Sequence, residues 1–135
     1  MAFVTWKASY SVKVASCDAD HKKMSVLINR LHHAMAVGRG AGMVQSLANE
    51  LAAYSRRHFA EEESMMARTK YPELASHRQE HQEFARRLEQ IRQDLAAGKF
   101  VSSVPVAAFF NGWFTSHITQ TDQKYSAHLN ANGIS

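Results

Sequence analysis

Cysteine is nearly absent from this chain of 135 residues. The single Cys17 excludes an internal disulfide framework and suits a reducing compartment. Proline is almost as scarce, at Pro72 and Pro105 only. No apolar run approaches the length that crosses a membrane. No dense Lys/Arg block occurs and the net charge is only +4, so nucleic acid is not the expected partner. The opening residues MAFVTWKASY lack the basic flank and apolar stretch of a secretory signal. These absences lead to the expectation of a cytoplasmic protein without membrane insertion.

What is present is enough for a core. Hydrophobic residues make up 45% and charged residues 21%, and the length is that of one domain over residues 1–135. Helix-breaking signals divide it into four long pieces. Residues 1–17, with Phe3, Trp6 and Tyr10, read as an arm packed on the rest. Asp18 is the expected N-cap of a first helix, to about residue 37, stopped by Gly38-Arg39-Gly40-Ala41-Gly42. A second helix is expected over about 43–68 and a third over 72–97, with Pro72 in its first turn and Gly98 at its end. Ser103-Val104-Pro105 opens a fourth, over about 104–128. Apolar stripes of helical period run along each, for example Met24, Leu27, Ile28, Leu31 and Met35. Short connections predict an all-α, up-down-up-down antiparallel four-helix bundle with an N-terminal arm.

Histidine, at eight residues, is plentiful, and several sit where a core should be. The third helix reads Leu74, His77, His81, Phe84, Leu88 in steps of three and four. The second reads Leu51, Tyr54, His58, Glu62, Met65. His21 shares the face of Met24, His117 follows Trp113, and Asp122 lies with Phe114, Ile118 and Tyr125. An unpaired buried carboxylate is costly, and a buried imidazole needs a partner. With the helices antiparallel, all seven residues fall within roughly 10 to 15 Å of axial height. His-x-x-x-His spacing is weak evidence by itself. Matched height across four helices is stronger, and a polyvalent cation is the economical way to satisfy the group. One spacing strains the reading. His117 and Asp122 are five apart, about 140° around an ideal helix, so they share a site only if it is wide or the helix loosens there.

Five imidazoles and two carboxylates exceed one tetrahedral zinc and suit two metal ions, the carboxylates bridging. Iron, zinc and manganese all accept this donor set. With a bridging oxygen included, two six-coordinate ions keep one open position, a place for a small diatomic ligand.

The segments Asp18-Ala19-Asp20-His21-Lys22, His58-Phe59-Ala60-Glu61-Glu62-Glu63, His77-Arg78-Gln79-Glu80-His81 and Trp113-Phe114-Thr115-Ser116-His117-Ile118, with Asp122 following, resemble the hemerythrin family. The likeness is to its single-domain bacterial members, the bacteriohemerythrins, and it covers nearly the whole chain. It implies a four-helix bundle around two non-haem iron ions. His77, His81 and His117 would hold one iron, and His21 and His58 the iron with the open position. Glu62, Asp122 and an oxo or hydroxo group would bridge the pair. The implied activity is reversible O2 binding, for oxygen storage or transport to an oxygen-consuming enzyme, by a monomer without catalysis of its own. The implied O2 pocket is Met24, Phe59, Trp113, Phe114 and Ile118. Phe114 departs from the family's usual leucine, and Cys17 from its usual aliphatic residue.

Two other uses compete. A sensor module would be fused to a transducer, and none is encoded in these residues. A di-iron oxidase or peroxidase would be richer in carboxylate, with Glu-x-x-His motifs. His32, His33 and His128 read as surface residues. Glu61, Glu63, Arg56-Arg57 and Arg86-Arg87 read as solvated faces.

Overall fold

Apolar side chains spaced three and four apart drive long segments into helices, because that period puts them on one face. The computed structural model describes residues 6–38 and 40–135. Phe3 and Arg39 lie outside the described residues. Helix α1 spans Ala15–Ala36, α2 Ala41–Arg68 and α3 Leu74–Ala96. The fourth rod starts as α4 (Ser103–Ser116), widens into a π-helical turn over His117–Asp122 and resumes as α5 (Gln123–Ala131). The backbone stays in the right-handed helical region through both junctions, so the three pieces are continuous. The result is an antiparallel all-α four-helix bundle, with no strand among the described residues. Within it α2 packs on both α1 and α3, and α4 closes against α1.

Helix ends follow backbone chemistry. Gly38 and Gly98 follow α1 and α3 with φ of 70° and 73°, the left-handed conformation that lets the last carbonyls find partners. Lys70 adopts the same conformation after α2 with φ of 57°, and Tyr71 N–H then reaches back to the Met66 carbonyl at 2.8 Å.

Several boundaries differ from the sequence reading. Asp18 is not an N-cap: α1 begins one turn earlier, at Ala15, with no side-chain cap on it. The buried stripe extends back through Cys17 and Val14, both 1% exposed, and carries the helix with it. Asp18 instead accepts hydrogen bonds from the Ser11 hydroxyl at 2.6 Å and the Val12 N–H at 2.9 Å, clasping the arm. Pro72 lies in the turn ahead of α3 rather than inside it, while Pro105 does sit in the first turn of α4. The last helix continues past His128 to Ala131, because Leu129 is fully buried and extends its stripe.

Two apolar clusters result. The larger joins Tyr10, Met24, Leu27, Leu31, Leu51, Phe84, Leu88, Phe110, Phe114 and Ile118 among others, with Trp6 packed on its edge. The smaller closes the other end with Val12, Val14, Cys17, Met66, Tyr71, Tyr125 and Leu129. The arm contributes to both. No helix among the described residues is long and apolar enough to cross a membrane.

Replacing Asp18 by Ala should release the arm and cost about 1.5–3 kcal/mol, the scale of a hydrogen bond to a charged group. The urea midpoint should fall while the helical circular-dichroism signal is kept. An unchanged midpoint would mean the carboxylate does not hold the arm.

Candidate metal centre

The packing delivers seven polar side chains to one buried volume between the two apolar clusters. His21 comes from α1, His58 and Glu62 from successive turns of α2, and His77 and His81 from successive turns of α3. His117 and Asp122 come from the two ends of the π-turn. None of the seven is more than 2% exposed. The helix does loosen between His117 and Asp122, as their five-residue spacing requires if both are to face one place.

The two carboxylates divide the imidazoles into two groups. Glu62 Oε2 lies 3.2 Å from His21 Nε2 and 3.1 Å from His58 Nε2. Its Oε1 lies 3.1 Å from His81 Nε2 and 3.6 Å from His77 Nε2. Asp122 Oδ2 stands 3.1 Å from His21 Nε2, and its Oδ1 is 2.9 Å from Nε2 of both His77 and His117. Each carboxylate therefore turns one oxygen toward two of His77, His81 and His117, and the other toward His21, joined in the case of Glu62 by His58.

These contacts are short, but most are poorly aligned as hydrogen bonds. Both Asp122 oxygens, Glu62 Oε1 and Nε2 of His58 and His77 have no hydrogen-bond partner although all are buried. Nε2 of His81 and His117 face one another at 3.2 Å. Donors aimed at a common point, rather than at each other, are what a cation site looks like. Around an ion with bonds of about 2.1 Å, donors at right angles stand about 3.0 Å apart, which matches these separations. Two groups can hold a cation: Glu62, His77, His81, His117 and Asp122, and His21, His58 and Glu62.

Electrostatics say the same. Burial, the largest influence, would raise both carboxyls, yet the surrounding imidazoles hold Glu62 and Asp122 well below the usual carboxylate range. Burial likewise opposes protonation of His58 and His117, but the Glu62 and Asp122 charges outweigh it and lift both to about 10. His21 and His77 are also raised, burial again being outweighed by the same two carboxylates. A cation would take the place of the protons that His21, His58, His77 and His117 otherwise favour.

Sequence reading missed the carboxylates that orient the imidazoles from behind. Asp20 accepts from His58 Nδ1 at 2.9 Å, Glu63 from His81 Nδ1 at 2.8 Å and Glu80 from His117 Nδ1 at 2.9 Å. Each sits beside a seam residue in sequence, and each serves the histidine of the next helix in order. Glu63 is therefore no solvated bystander: it is 21% exposed and also takes the Arg78 guanidinium at 2.9 Å. Such partners fix ring orientation and leave Nε2 free to face a metal. Tyr54 hydroxyl donates to Asp20 at 2.8 Å, and Tyr125 hydroxyl donates to Glu62 Oε2 at 2.7 Å. A carboxylate next to a seam residue, Asp20 beside His21, Glu63 beside Glu62 and Glu80 beside His81, is the signal that would have found the first three. Glu61 does remain on the surface, paired with Arg57.

The five apolar residues singled out from sequence all line the larger-cluster side. Met24, Phe59, Phe114 and Ile118 are buried in that cluster, and Trp113 packs against it. The Phe59 ring stacks on His81 with centroids 4.0 Å apart, and Trp113 stacks on His117 at 4.3 Å. Cys17 is buried and in no disulfide on the opposite side, where burial pushes its thiol well up. Of the remaining histidines, His33 is exposed and His32 half-buried. His128 is more engaged than a surface residue, with Nε2 2.8 Å from the Thr69 carbonyl.

Comparison with known proteins gives one consistent result. The family model described as hemerythrin HHE cation binding domain matches residues 12–129. A bacteriohemerythrin of Stenotrophomonas maltophilia is 30% identical over 134 residues, covering 96% of this chain and 86% of that protein. A bacteriohemerythrin of Methylococcus capsulatus is 28% identical, covering 97% and 100%. The crystal structure of wild-type hemerythrin superposes with a TM-score of 0.86 at 26% identity, covering 93% of this chain and 97% of that one. A leucine-to-alanine hemerythrin mutant gives 0.89 at 27% identity, covering 96% and 98%.

The metal-free protein should respond to pH with a definite sign. His58 and His117 are raised in the folded state, so their contribution is complete below about 6.5. It should fade as pH climbs toward 10, where both lose their protons. Urea unfolding in chelator at pH 6.5, 8 and 10 should show a falling midpoint. A midpoint that rises over this range would contradict the buried ion-pair arrangement.

Proposed function

The chain belongs to the hemerythrin family, and on that premise we propose that it binds O2 reversibly at two iron ions between its four helices. The observation that carries the reading is the division of Glu62 and Asp122, one oxygen toward each group of imidazoles. On this reading His77, His81 and His117 hold one iron and His21 and His58 the other. Glu62 and Asp122, each with an oxygen toward either side, would be shared between the two ions. Two ferrous ions together would supply the pair of electrons that reversible O2 binding exchanges. The His21–His58 side has the smaller donor set, so it is the side with room for a small ligand.

The protein's own residues then have three tasks. Asp20, Glu63 and Glu80 hold three of the five imidazoles by Nδ1 and so fix the direction in which Nε2 faces. Met24, Phe59, Trp113, Phe114 and Ile118 form an apolar wall that excludes water and larger reductants. Tyr125 donates to Glu62 Oε2 and steadies the bridging carboxylate from the closed end. A donor set rich in neutral imidazole favours reversible binding over O–O cleavage, which supports storage or delivery of O2 to an oxygen-consuming enzyme over an oxidase or peroxidase.

Iron analysis with visible spectra tests this directly. Reduced protein should carry two iron ions per chain, gain a charge-transfer band with O2 and lose it when O2 is removed. An irreversible change would move the function to a sensor or oxidase, with Phe114 the first residue to vary. No iron, or one zinc, would overturn the reading.

His77→Ala and Glu62→Ala should each lower iron content and reduce Tm by several degrees, because binding energy is shared with folding. Full iron and the parent Tm in either variant would remove that residue from the ligand set.

A further inference from the structure

The π-turn over His117–Asp122 needs a cause. Hydrogen bonds reaching five residues back bring positions five apart nearly above one another, which closes the angle of about 140° that an α-helix would leave. π-Turns are rare and occur mostly as single turns at functional sites. Something must therefore hold this one.

The grip comes from α3. Glu80 Oε1 accepts from His117 Nδ1 at 2.9 Å and from the Thr121 hydroxyl at 2.7 Å, and Oε2 lies 2.8 Å from that hydroxyl. The Glu80 main-chain carbonyl accepts the Trp113 indole N–H at 3.2 Å. One residue thus holds Trp113, His117 and Thr121, three positions four apart that run into and across the widened turn. Within the rod, the Thr119 hydroxyl donates to the Thr115 carbonyl at 2.7 Å and satisfies an acceptor at the entry to the turn. Asp20 and Glu63 grip histidines on regular α-helix; among the three flanking carboxylates only Glu80 bonds inside the π-turn.

We propose that Glu80 is a positioning residue that locks the His117–Asp122 turn in its wide form, so that both residues face one point before any cation arrives. The turn is thereby pre-organised by α3 rather than drawn into shape by metal. The inference rests on the reading of His117 and Asp122 as partners in one cation centre. Its first test, however, needs no metal. Thr121 follows as the second contact of the lock, since it ties the far half of the turn to the same carboxylate.

Amide hydrogen exchange of the full chain, metal-free and cobalt(II)-loaded, tests this with Glu80→Ala, Glu80→Gln and Thr121→Val. In metal-free Glu80→Ala and Thr121→Val, exchange across residues 117–122 should accelerate about tenfold, the scale of one lost hydrogen bond to a charged group. Amides of α1 and α2 should stay at the parent rate. Glu80→Gln should keep most of the protection, because its amide oxygen can accept from His117 and its NH2 can donate to Thr121. Cobalt(II) titration followed by visible absorption should show weaker binding by about tenfold or more in Glu80→Ala, with Glu80→Gln close to the parent. Parent-like exchange at 117–122 in both Glu80→Ala and Thr121→Val would overturn the proposal. So would acceleration spread evenly over all helices, which marks ordinary destabilisation. If Glu80→Ala does not fold, the contrast between Thr121→Val and Glu80→Gln decides alone. Failure of O2 binding would leave the metal-free exchange result untouched, so the two claims fail separately.

Discussion

Two carboxylates buried to 1% and 0% exposure, Glu62 and Asp122, are the constraint on which the rest of the molecule depends. Taking each from water costs several kcal/mol even after relaxation, and only strong, well-directed compensation offsets it. Five imidazoles supply part of that compensation. Their misaligned contacts leave Glu62 Oε1 and both Asp122 oxygens without hydrogen bonds, a deficit that charge of the opposite sign placed between the groups would fill. The bundle can be read as a device for bringing these seven side chains together and keeping solvent away from them.

The fold achieves this by layering. The larger apolar cluster stabilises one end of the bundle and provides an apolar ceiling over the polar centre. The smaller cluster seals the other end, and the arm residues Val12 and Val14 together with Cys17 form one side of it. Asp18 and Ser11 fasten that seal, and Gln123 and Ser126 bond the Ser11 and Val12 carbonyls from the last helix. Behind the imidazoles runs a second ring of charge. Asp20 on α1 serves α2, Glu63 on α2 serves α3, and Glu80 on α3 serves the fourth rod. Neighbouring helices are thus registered by carboxylate–imidazole hydrogen bonds at the level of the centre, where apolar packing gives way to polar contacts.

Much of this was legible in the residues. The seven seam positions stood out because each interrupts an apolar stripe at a position where period 3.6 demands burial. The five-residue gap between His117 and Asp122 leaves either a wide site or a local loosening, and the π-turn is the second of these. The flanking carboxylates were not legible by the same logic. Asp20, Glu63 and Glu80 lie one residue off the seam, where a charged side chain ordinarily meets water, and only the neighbouring helix shows what it meets instead. Asp18 misled for a related reason. An aspartate ahead of an apolar run is a capping signal, but Val14 and Cys17 already belonged to the buried stripe and carried α1 past it. Pro72 reads as a first-turn residue but lies two residues ahead of α3, because proline suits both a first helical turn and the turn before it.

The most direct test of the bridging arrangement is a crystal structure of the iron-loaded protein with anomalous scattering measured at the iron edge. It should show two iron peaks about 3.5 Å apart. One should lie among His77, His81 and His117 and the other beside His21 and His58, with Glu62 and Asp122 each touching both. A single peak, or two peaks that share neither carboxylate, would contradict the account.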